Sequence, residues 1–428
     1  MDPRRAIEAG TLSTPAQDER PVPITIGRVL KGLGPGIVSG ASDNDPTTVA
    51  TLAIVGASTV YGLAWLVLLV IPMLAVVQAI AARIGVASKR GLEDCIRVRY
   101  GHGLALAALV AVLAVNIITL AADLEGGGAA LQIITGIDYR WFVVPFAGLA
   151  AAALIIGKSD SITNVLKYLT IIFLAYIATA FFAHPNWLAV LRGSLVPHFE
   201  NNQAYIAGAI ALLGTTLTSY AYVWETVETS EEGQPLQRIG LIQAEAVAGI
   251  VFAGFIFWFI VVTTGATLGV HHKTVETAQD AAAALVPFAG KYAGLVFGLG
   301  LLGSALIAVP VLAGTSAYVM AEAFGWRSSL DASFASADRF YWTLIASLGI
   351  GAAIALVGVS PIKLLFFSGI AGGIATPFTL GLMMLVGRSR EIMGEQRLGL
   401  TLAIAGWCVT AIVSASAVVY LVQTVRGA

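Results

Sequence analysis

Long apolar stretches follow one another along nearly the whole chain, and this feature restricts the possible folds more than any other. A helix needs about 20 mainly apolar residues to cross the hydrocarbon core of a bilayer, and hydropathy predicts about 11 such spans. The predicted spans are 28–54, 60–83, 103–135, 140–157, 163–183, 203–228, 239–268, 289–323, 340–358, 361–387 and 397–424. The chain is 57% hydrophobic and only 11% charged, which leaves too few polar residues to cover a surface in water. We therefore expect an all-α polytopic membrane protein embedded in a lipid bilayer.

The distribution of basic residues predicts how the spans are oriented. Residues 1–27 are polar and lack the apolar core of a signal peptide, so we expect a cytosolic tail. Arg28 and Lys31 at the first span, and Lys89 and Arg90 after the second, fall on the same side as this tail. The positive-inside rule therefore places the N-terminus in the cytoplasm and predicts a transmembrane domain over 28–428. The charge bias and the short loops fit a bacterial inner membrane.

Composition and motifs argue against several classes of protein. The net charge of −1 and the lack of a basic stripe argue against a nucleic-acid partner. Cys95 and Cys408 lie far apart and in no Cys/His cluster, which argues against a disulfide framework or a zinc site. The sequence has no nucleophile–base arrangement and no cofactor motif, so we expect neither an enzyme nor a bound cofactor. We expect instead that the chain moves a small polar solute or ion across the bilayer, in an oligomeric state that the sequence leaves open.

Polar residues interrupt two of the predicted spans. Span one contains Gly-Pro-Gly at 34–36 and a run of polar residues at 42–48 that includes Pro46. Proline removes a backbone donor, and the residue before it avoids the helical region. Span six contains Gly-Thr-Thr-Leu-Thr-Ser at 214–219, a weaker signal without proline. Broken helices at matching positions indicate inverted repeats, which we place at about 28–183 and 203–387, followed by an extra helix at 397–424.

Asp45 is the residue around which we predict a cation site. A carboxylate at membrane depth is costly and marks a functional site, although a helix cap or a structural ion pair would also explain it. The middle of span one has no Lys or Arg at helical spacing from Asp45. Thr48 can face the same cavity, and Thr215 and Thr218 lie at the matching break in span six. These hydroxyls could alternatively bond their own backbone or pack between helices.

Further polar side chains lie near the predicted site or along the spans that form it. They are Asp43, Asn44, Asp123, Glu125, Tyr220 and Glu225. Any of them could line an ion path, and the acidic ones could equally pair with basic residues on the inner side, as we favour for Glu228. The ligand set is made of hard oxygen atoms, which suit Mg²⁺, Mn²⁺ or Ca²⁺ rather than softer metals.

Several short motifs resemble, in the same order, those of the Nramp family of divalent metal transporters. The matching motifs are Gly34-Pro35-Gly36 and Asp45-Pro46-Thr47-Thr48-Val49-Ala50-Thr51 in span one, Gln78, Arg83-Ile84-Gly85 and Gly91-Leu92 around the end of span two, Ala122-Asp123-Leu124 in span three, Gly314-Thr315 and Val319-Met320-Ala321-Glu322 in span eight, and Pro377-Phe378 in span ten. The resemblance implies a LeuT-like fold and a site between broken spans one and six that opens to each side in turn. It also implies that a divalent metal ion is the substrate and that Asp45 is the metal-binding aspartate.

The chain departs from the family at most other positions of that site. The substitutions are Thr48 for the ligand asparagine, Thr218 for the methionine, Tyr220 and Glu225 for two histidines, and Gly126 for the span-three glutamate, with Glu125 one position earlier. A thioether favours Mn²⁺ and Fe²⁺ over Mg²⁺ and Ca²⁺, so its loss removes a penalty against hard ions. Mg²⁺ keeps several waters and binds through few protein ligands, which suits a hydroxyl-lined pocket.

These departures favour an importer of the Mg²⁺/Mn²⁺ class that is weakly coupled or uncoupled to protons. They are similar to those of Nramp-related branches that handle magnesium or aluminium ions. One alternative is a proton-coupled Mn²⁺/Fe²⁺ symporter like the better-known family members. Alternatives of another class are a LeuT-fold symporter for an organic solute and a non-transporting membrane sensor.

Overall fold

The computed structural model of the chain describes residues 45–156 and 174–427, and these form helices joined by short connections. The long and medium helices are α1 Pro46–Thr59, α2 Ala64–Ser88, α3 Leu92–Tyr100, α4 His102–Thr135, α5 Arg140–Ile156, α6 Leu174–Phe182, α7 Trp187–Leu195, α8 Gln203–Thr216, α9 Ser219–Glu231, α10 Ile239–Thr267, α11 Ala293–Phe324, α12 Asp338–Ala355, α13 Pro361–Arg388 and α14 Leu400–Gly427. Shorter helical segments are Leu236–Arg238, Gly269–His271, Ala278–Ala282, Ala283–Leu285, Val286–Ala289, Gly290–Tyr292, Phe334–Ser336, Arg390–Met393 and Gly394–Gln396. No strand occurs within the described ranges.

The helices follow the predicted order of spans. Seven stretches of the described chain are long and apolar enough to cross a membrane, and they correspond to predicted spans two, three, six, seven, eight, ten and eleven. The shorter α5 and α12 correspond to spans four and nine, and α1 and α6 are the described parts of spans one and five. The predicted tail at 1–27, the glycine–proline motif at 34–36 and the residues Asp43 and Asn44 lie outside the described residues.

The first helix lies at the centre of the molecule. Every residue of α1 from Pro46 to Ala53 is buried, as expected for a helix that is enclosed on all sides. It packs among α4, α8, α10 and α13. The start of α1 therefore lies where spans three, six and ten meet.

Span six is broken, as its sequence predicts. Helix α8 ends at Thr216 and α9 begins at Ser219. Between them, Leu217 has φ −102° and ψ 34°, and Thr218 has the extended values φ −65° and ψ 143°. The backbone thus leaves the helical conformation for two residues without any proline. Tertiary contacts must hold this break open, because threonine and leucine can both continue a helix.

A close backbone contact fixes the first half of span six against span ten. Gly214, in the last turn of α8, lies so near α13 that an added Cβ would overlap the backbone of Gly369 and Gly373. Small residues allow membrane helices to approach at this distance. The three glycines therefore set the separation of α8 from α13 and, with it, the position of the break.

Candidate metal site

Asp45 occupies the N-cap position of α1 and is almost completely buried. Its Oδ1 accepts a hydrogen bond from the backbone N–H of Thr48 at 2.6 Å. An N-cap carboxylate satisfies one of the free donors at a helix start and interacts favourably with the helix dipole. The cap interpretation of Asp45 is thus correct, but it accounts for only one of the two carboxylate oxygen atoms.

The second oxygen atom of Asp45 faces the second half of span six. The hydroxyl of Tyr220 donates a hydrogen bond to Asp45 Oδ2 over 2.8 Å. Tyr220 lies in the first turn of α9, just after the break, and its side chain is buried. This bond joins the broken region of span six directly to the carboxylate at the start of α1.

A second contact between the two broken spans is made by threonine hydroxyls. The Oγ1 of Thr48 lies 3.0 Å from the Oγ1 of Thr215 and 3.5 Å from the backbone carbonyl oxygen of Thr215. Both side chains are buried. A hydroxyl three residues after Asp45 therefore meets a hydroxyl and a carbonyl oxygen two residues before the span-six break.

Span ten holds the break in span six in place. The Oγ1 of Thr376 donates a hydrogen bond to the carbonyl oxygen of Leu217 at 3.2 Å. This carbonyl belongs to the two non-helical residues, so a side chain on α13 supplies a partner that a continuous helix would have supplied. Thr218, the other non-helical residue, is buried, and its hydroxyl forms no capping bond to α9.

Asp123 reaches the start of α1 from span three. Its Oδ1 accepts hydrogen bonds from the backbone N–H of Thr47 at 3.2 Å and from the hydroxyl of Thr47 at 2.8 Å. The Oδ2 atom is buried and has no hydrogen-bond partner among the residues that the structure describes. Two carboxylates thus bind the first turn of α1: Asp45 binds the N–H of Thr48, and Asp123 binds the N–H and hydroxyl of Thr47.

No basic side chain neutralises these acids within the described residues. The ion pairs in 45–156 and 174–427 involve neither Asp45 nor Asp123. The same part of the chain also contains no group of three His, Cys, Asp or Glu side chains arranged to hold a metal ion. The site therefore combines the carboxylate of Asp45 with the hydroxyl and carbonyl oxygens of Thr48 and Thr215, and the carboxylate of Asp123 binds Thr47, two residues after Asp45.

Glu125 and Glu225 are buried at other places on their helices than Asp123 and Tyr220. Glu125 lies two residues after Asp123 on α4, and residues with that spacing do not share a helix face. It is buried near Tyr139 and Arg140 of span four instead. Glu225 is buried about 8 Å further along α9 than Tyr220, from the rise of 1.5 Å per residue. Their proposed place in an ion path thus remains a prediction.

The packing around Gly126 explains why a larger residue is absent there. A Cβ added at Gly126 would lie 2.9 Å from Cβ of Pro46 and 3.6 Å from Cδ1 of Leu365. Any side chain at this position would push against the start of α1. The glycine therefore lets span three approach the break in span one closely enough for Asp123 to reach Thr47.

Sequence analysis missed several residues that complete the site. Thr47 connects α1 to Asp123, and Thr376 supports the carbonyl of Leu217. Thr51 carries a buried hydroxyl oxygen without a hydrogen-bond partner in the described chain, as does Ser219, which the sequence analysis had already placed in the run at the span-six break. The run of threonines after Pro46 was a usable signal for Thr47 and Thr51. Thr376 gave no such signal, since it lies in an otherwise ordinary helix and acts across 159 residues of sequence.

A separate polar cavity of about 260 Å³ lies where α3, α9 and α11 meet, on the predicted cytosolic side. Arg90 and Arg97 both bind Asp94 there, and the backbone N–H of Asp94 donates to Glu322 Oε2 at 3.1 Å. Burial, with a smaller effect of Glu322, raises the pKa of the neighbouring Glu93 to about 9. These hydrogen bonds connect α3 to the end of α11, and none of them involves Asp45.

Solved structures define the class of protein to which this fold belongs. The manganese transporter of Eremococcus coleocola superimposes with a TM-score of 0.70 and 16% sequence identity, covering 95% of this chain and 89% of the other. MhsT in complex with L-phenylalanine superimposes with a TM-score of 0.64 and 13% identity, covering 94% and 99%. The chain is thus a polytopic α-helical membrane protein with the LeuT fold, as predicted.

Sequence comparison identifies the family within that class. A sequence model described as "Natural resistance-associated macrophage protein-like" matches residues 36–423. The chain is 26% identical over 408 residues to the divalent metal cation transporter MntH of Deinococcus radiodurans, covering 92% of this chain and 90% of that protein. It is also 26% identical over 281 residues to MntH of Erwinia tasmaniensis, covering 64% and 68%. The chain belongs to the Nramp family of divalent metal transporters, which confirms the resemblance seen in its motifs.

Proposed function

We propose that this Nramp-family chain imports a divalent cation of the Mg²⁺/Mn²⁺ class, and that the ion binds at Asp45, Thr48, Thr215 and Thr218. The observation that carries the proposal is a buried carboxylate at the start of α1 that has no basic partner within the described residues and faces the break in span six. An isolated buried charge is costly unless a partner compensates it. A cation that is itself the transported substrate supplies that compensation.

The ligand set favours an ion that keeps part of its water shell. Asp45 Oδ1 accepts from the N–H of Thr48 within α1, and Oδ2 accepts from the hydroxyl of Tyr220, so a cation reaches Oδ2 by displacing that hydroxyl. The other oxygens nearby are neutral hydroxyls and carbonyls from Thr48 and Thr215. Mg²⁺ is typically bound through one or two carboxylates with waters in the remaining positions. We therefore place Mg²⁺ ahead of Mn²⁺ as the physiological ion.

Weak coupling to protons follows from what surrounds the site. The position of the family's glutamate is Gly126, whose Cα abuts Pro46, and the two histidine positions are Tyr220 and Glu225. Uncoupled import needs another driving force, and a membrane potential supplies it. A potential of 100 mV is worth about 2.3 kcal/mol for each elementary charge, or about 5 kcal/mol for a divalent cation. That energy suffices for concentrative uptake without protons.

A proton-coupled Mn²⁺/Fe²⁺ symporter is the second candidate, and one observation favours it. Asp123 Oδ2 is buried and unpartnered in the described chain, while its Oδ1 contacts the residue between Pro46 and Thr48. A carboxyl group in that position could take up a proton as the ion binds to Asp45. The two candidates therefore differ in whether metal entry is accompanied by protons.

Simultaneous measurement of metal and proton flux separates these candidates. The full chain is reconstituted in liposomes that contain a metal-sensitive dye and a pH-sensitive dye, and a K⁺ gradient with valinomycin sets a negative interior. We expect Mg²⁺ uptake that follows the potential and produces no acidification. Uptake of Mn²⁺ with proportional acidification would establish the symporter instead. Metal binding without any flux would favour a non-transporting sensor.

An organic-solute symporter remains the alternative of another class, since MhsT shares the fold and was solved with L-phenylalanine. Asp45 argues against an amino acid here, because its carboxylate would repel the carboxylate of such a substrate. We expect MgCl₂ and MnCl₂, but not amino acids, to raise the melting temperature of the purified chain. Stabilisation by an amino acid alone would refute the metal proposal.

We also propose that the chain resides in a cell membrane with its N-terminus in the cytoplasm. The basic residues that follow α2 support this orientation, because Lys89, Arg90, Arg97 and Arg99 all lie on the connection from α2 to α4. Single cysteines placed on the predicted cytosolic and external loops would report the orientation through an impermeant thiol reagent. Labelling of the α2–α4 connection from outside intact cells would reverse the assignment.

A further inference from the structure

We propose that the hydroxyl of Tyr220 competes with the metal ion for Asp45 and thereby sets the charge that an ion needs to enter the site. This inference rests on the proposed function, because it assumes that the ion binds to Asp45. It starts from the hydrogen bond of 2.8 Å that Tyr220 donates to Asp45 Oδ2. With Oδ1 occupied by the N–H of Thr48 at 2.6 Å, both carboxylate oxygens already have a protein donor.

The tyrosine hydroxyl and the ion compete for the same atom, Asp45 Oδ2. A cation that coordinates Asp45 Oδ2 directly occupies the position of the phenol proton in the present hydrogen bond. The N–H of Thr48 cannot yield, because its direction is fixed by the first turn of α1, whereas the phenol O–H of Tyr220 can rotate about its C–O bond while the buried ring stays in place. Tyr220 is therefore the donor that an incoming ion displaces.

Displacement separates ions by charge. A divalent cation gains about twice the Coulomb energy of a monovalent cation from the same carboxylate at the same distance. The hydrogen bond to be broken is the same for both ions. Na⁺ and K⁺, which are abundant and also favour oxygen ligands, are thus held off by a barrier that a divalent ion overcomes.

Displacement also links binding to movement. Tyr220 lies in the first turn of α9, so its bond to Asp45 attaches the second half of span six to α1. An ion that breaks this bond removes one of the contacts at the start of α9, while α8 stays fixed through Gly214 against α13. The same event therefore loads the site and loosens the attachment of one half-helix.

The test compares Tyr220→Phe with the wild-type chain. The variant keeps the buried ring and removes only the hydroxyl that contacts Asp45. We expect the KM for Mg²⁺ in liposome uptake to fall about three- to tenfold, the loss of one competing hydrogen bond. We also expect that 150 mM NaCl inhibits Mg²⁺ uptake by the variant while leaving that of the wild type unchanged.

Tyr222→Phe is the matched control, since Tyr222 is a buried tyrosine on the same helix whose hydroxyl contacts Thr379 instead of Asp45. It should leave both the KM and the response to Na⁺ at wild-type values. If Tyr220→Phe does not purify in folded form, Tyr220→Leu removes the same hydroxyl and carries the same expectations.

An unchanged or raised KM in the Tyr220 variants, or a continued indifference to Na⁺, would overturn the inference. A raised KM in particular would make the hydroxyl a ligand of the ion rather than its competitor. Failure of the wild type to bind or transport any divalent metal is a different result, because it refutes the proposed function before Tyr220 is considered.

Discussion

The two half-helices that begin at the candidate site, α1 and α9, start in different ways. The start of α1 is held by two carboxylates, with Asp45 bonding the N–H of Thr48 and Asp123 bonding the N–H of Thr47. The start of α9 has Thr218 at its N-cap, no capping bond from that side chain and no acidic residue in its first turn. The acidic side chains of the site therefore come from spans one and three and meet at the start of α1, not at the start of α9.

This difference indicates which half of the site is fixed and which can move. Charge-assisted bonds to backbone N–H groups are about twice as strong as neutral ones, so the first turn of α1 is firmly positioned. The start of α9, by contrast, has no capping bond from Thr218. It is connected to its surroundings through the hydroxyl of Tyr220 on Asp45 and through Thr376, which binds the carbonyl of Leu217. We infer that α1 provides the charge and α9 provides the moving part.

The largest effect is expected from removing the charge at the start of α1. Asp45→Asn keeps an oxygen atom that can accept from the N–H of Thr48, so the cap and the fold should survive. Two unit charges 4 Å apart interact by about 4 kcal/mol at an effective dielectric constant of 20, and a divalent ion doubles this energy. We therefore expect Mg²⁺ and Mn²⁺ uptake in liposomes to fall by about 100-fold or more.

Asp45→Ala removes the cap as well as the charge and serves as the comparison. It should abolish uptake equally and should also lower the free energy of unfolding by about 1 kcal/mol, the usual value of an N-cap. Normal uptake by the folded Asn variant would show that the ion does not bind Asp45. The contrast drawn between α1 and α9 would then have no functional meaning.

The same comparison shows how far the sequence can predict the site. The break predicted in span one had a local signal, because proline affects the backbone directly and Asp45 precedes Pro46. The half of span one before Asp45 lies outside the described residues. The break in span six had no such local cause, and only a run of small and hydroxyl residues pointed to it. The residues that hold it, Gly369, Gly373 and Thr376, lie on α13. Their role depends on tertiary packing that a single sequence does not display.

Span three also shows that tertiary contacts decide which of two similar candidate residues belongs to the site. Asp123 and Glu125 were equivalent candidates in the sequence, two acidic residues near the middle of one apolar helix. In the folded chain only Asp123 contacts the start of α1, while Glu125 lies near Tyr139 and Arg140. Helical geometry predicts that the two differ in direction, but the neighbours of α4 decide which of them meets Thr47.

The second prediction concerns the packing that supports the break in span six. Gly214→Ala places a Cβ against the backbone of Gly369 and Gly373, which cannot move aside as a side chain would. Overpacking of this kind costs about 1–3 kcal/mol, and we expect a lower melting temperature together with reduced uptake. Thermal unfolding in detergent and liposome flux measure the two effects.

Gly381→Ala is the control for this substitution, because a Cβ at Gly381 on α13 would meet nothing within 4 Å. Alanine favours a helix over glycine by about 1 kcal/mol, so this variant should be at least as stable as the wild type. Equal stability of both variants would show that α8 can shift away from α13. The break would then be less rigidly supported than the contact at Gly214 indicates.

The smallest expected effect concerns selectivity at the start of α9. Thr218→Met restores a thioether at the N-cap of α9, beside a site that otherwise offers only oxygen atoms. Sulfur ligands favour Mn²⁺ over Mg²⁺, so we expect the ratio of Mn²⁺ to Mg²⁺ uptake in direct competition to rise about three- to tenfold. The overall rate should change less, because Asp45 and its charge are untouched.

The control for this last change separates the chemistry of sulfur from the volume of the side chain. Thr218 is buried, so methionine also adds bulk to a packed region. Thr218→Leu adds similar bulk without a sulfur atom and should leave the Mn²⁺/Mg²⁺ ratio at the wild-type value. If Leu shifts the ratio as much as Met, pocket size determines the preference. If neither shifts it, selectivity is set on span one, where Asp45 and Thr48 already provide the oxygen ligands, and α9 contributes movement alone.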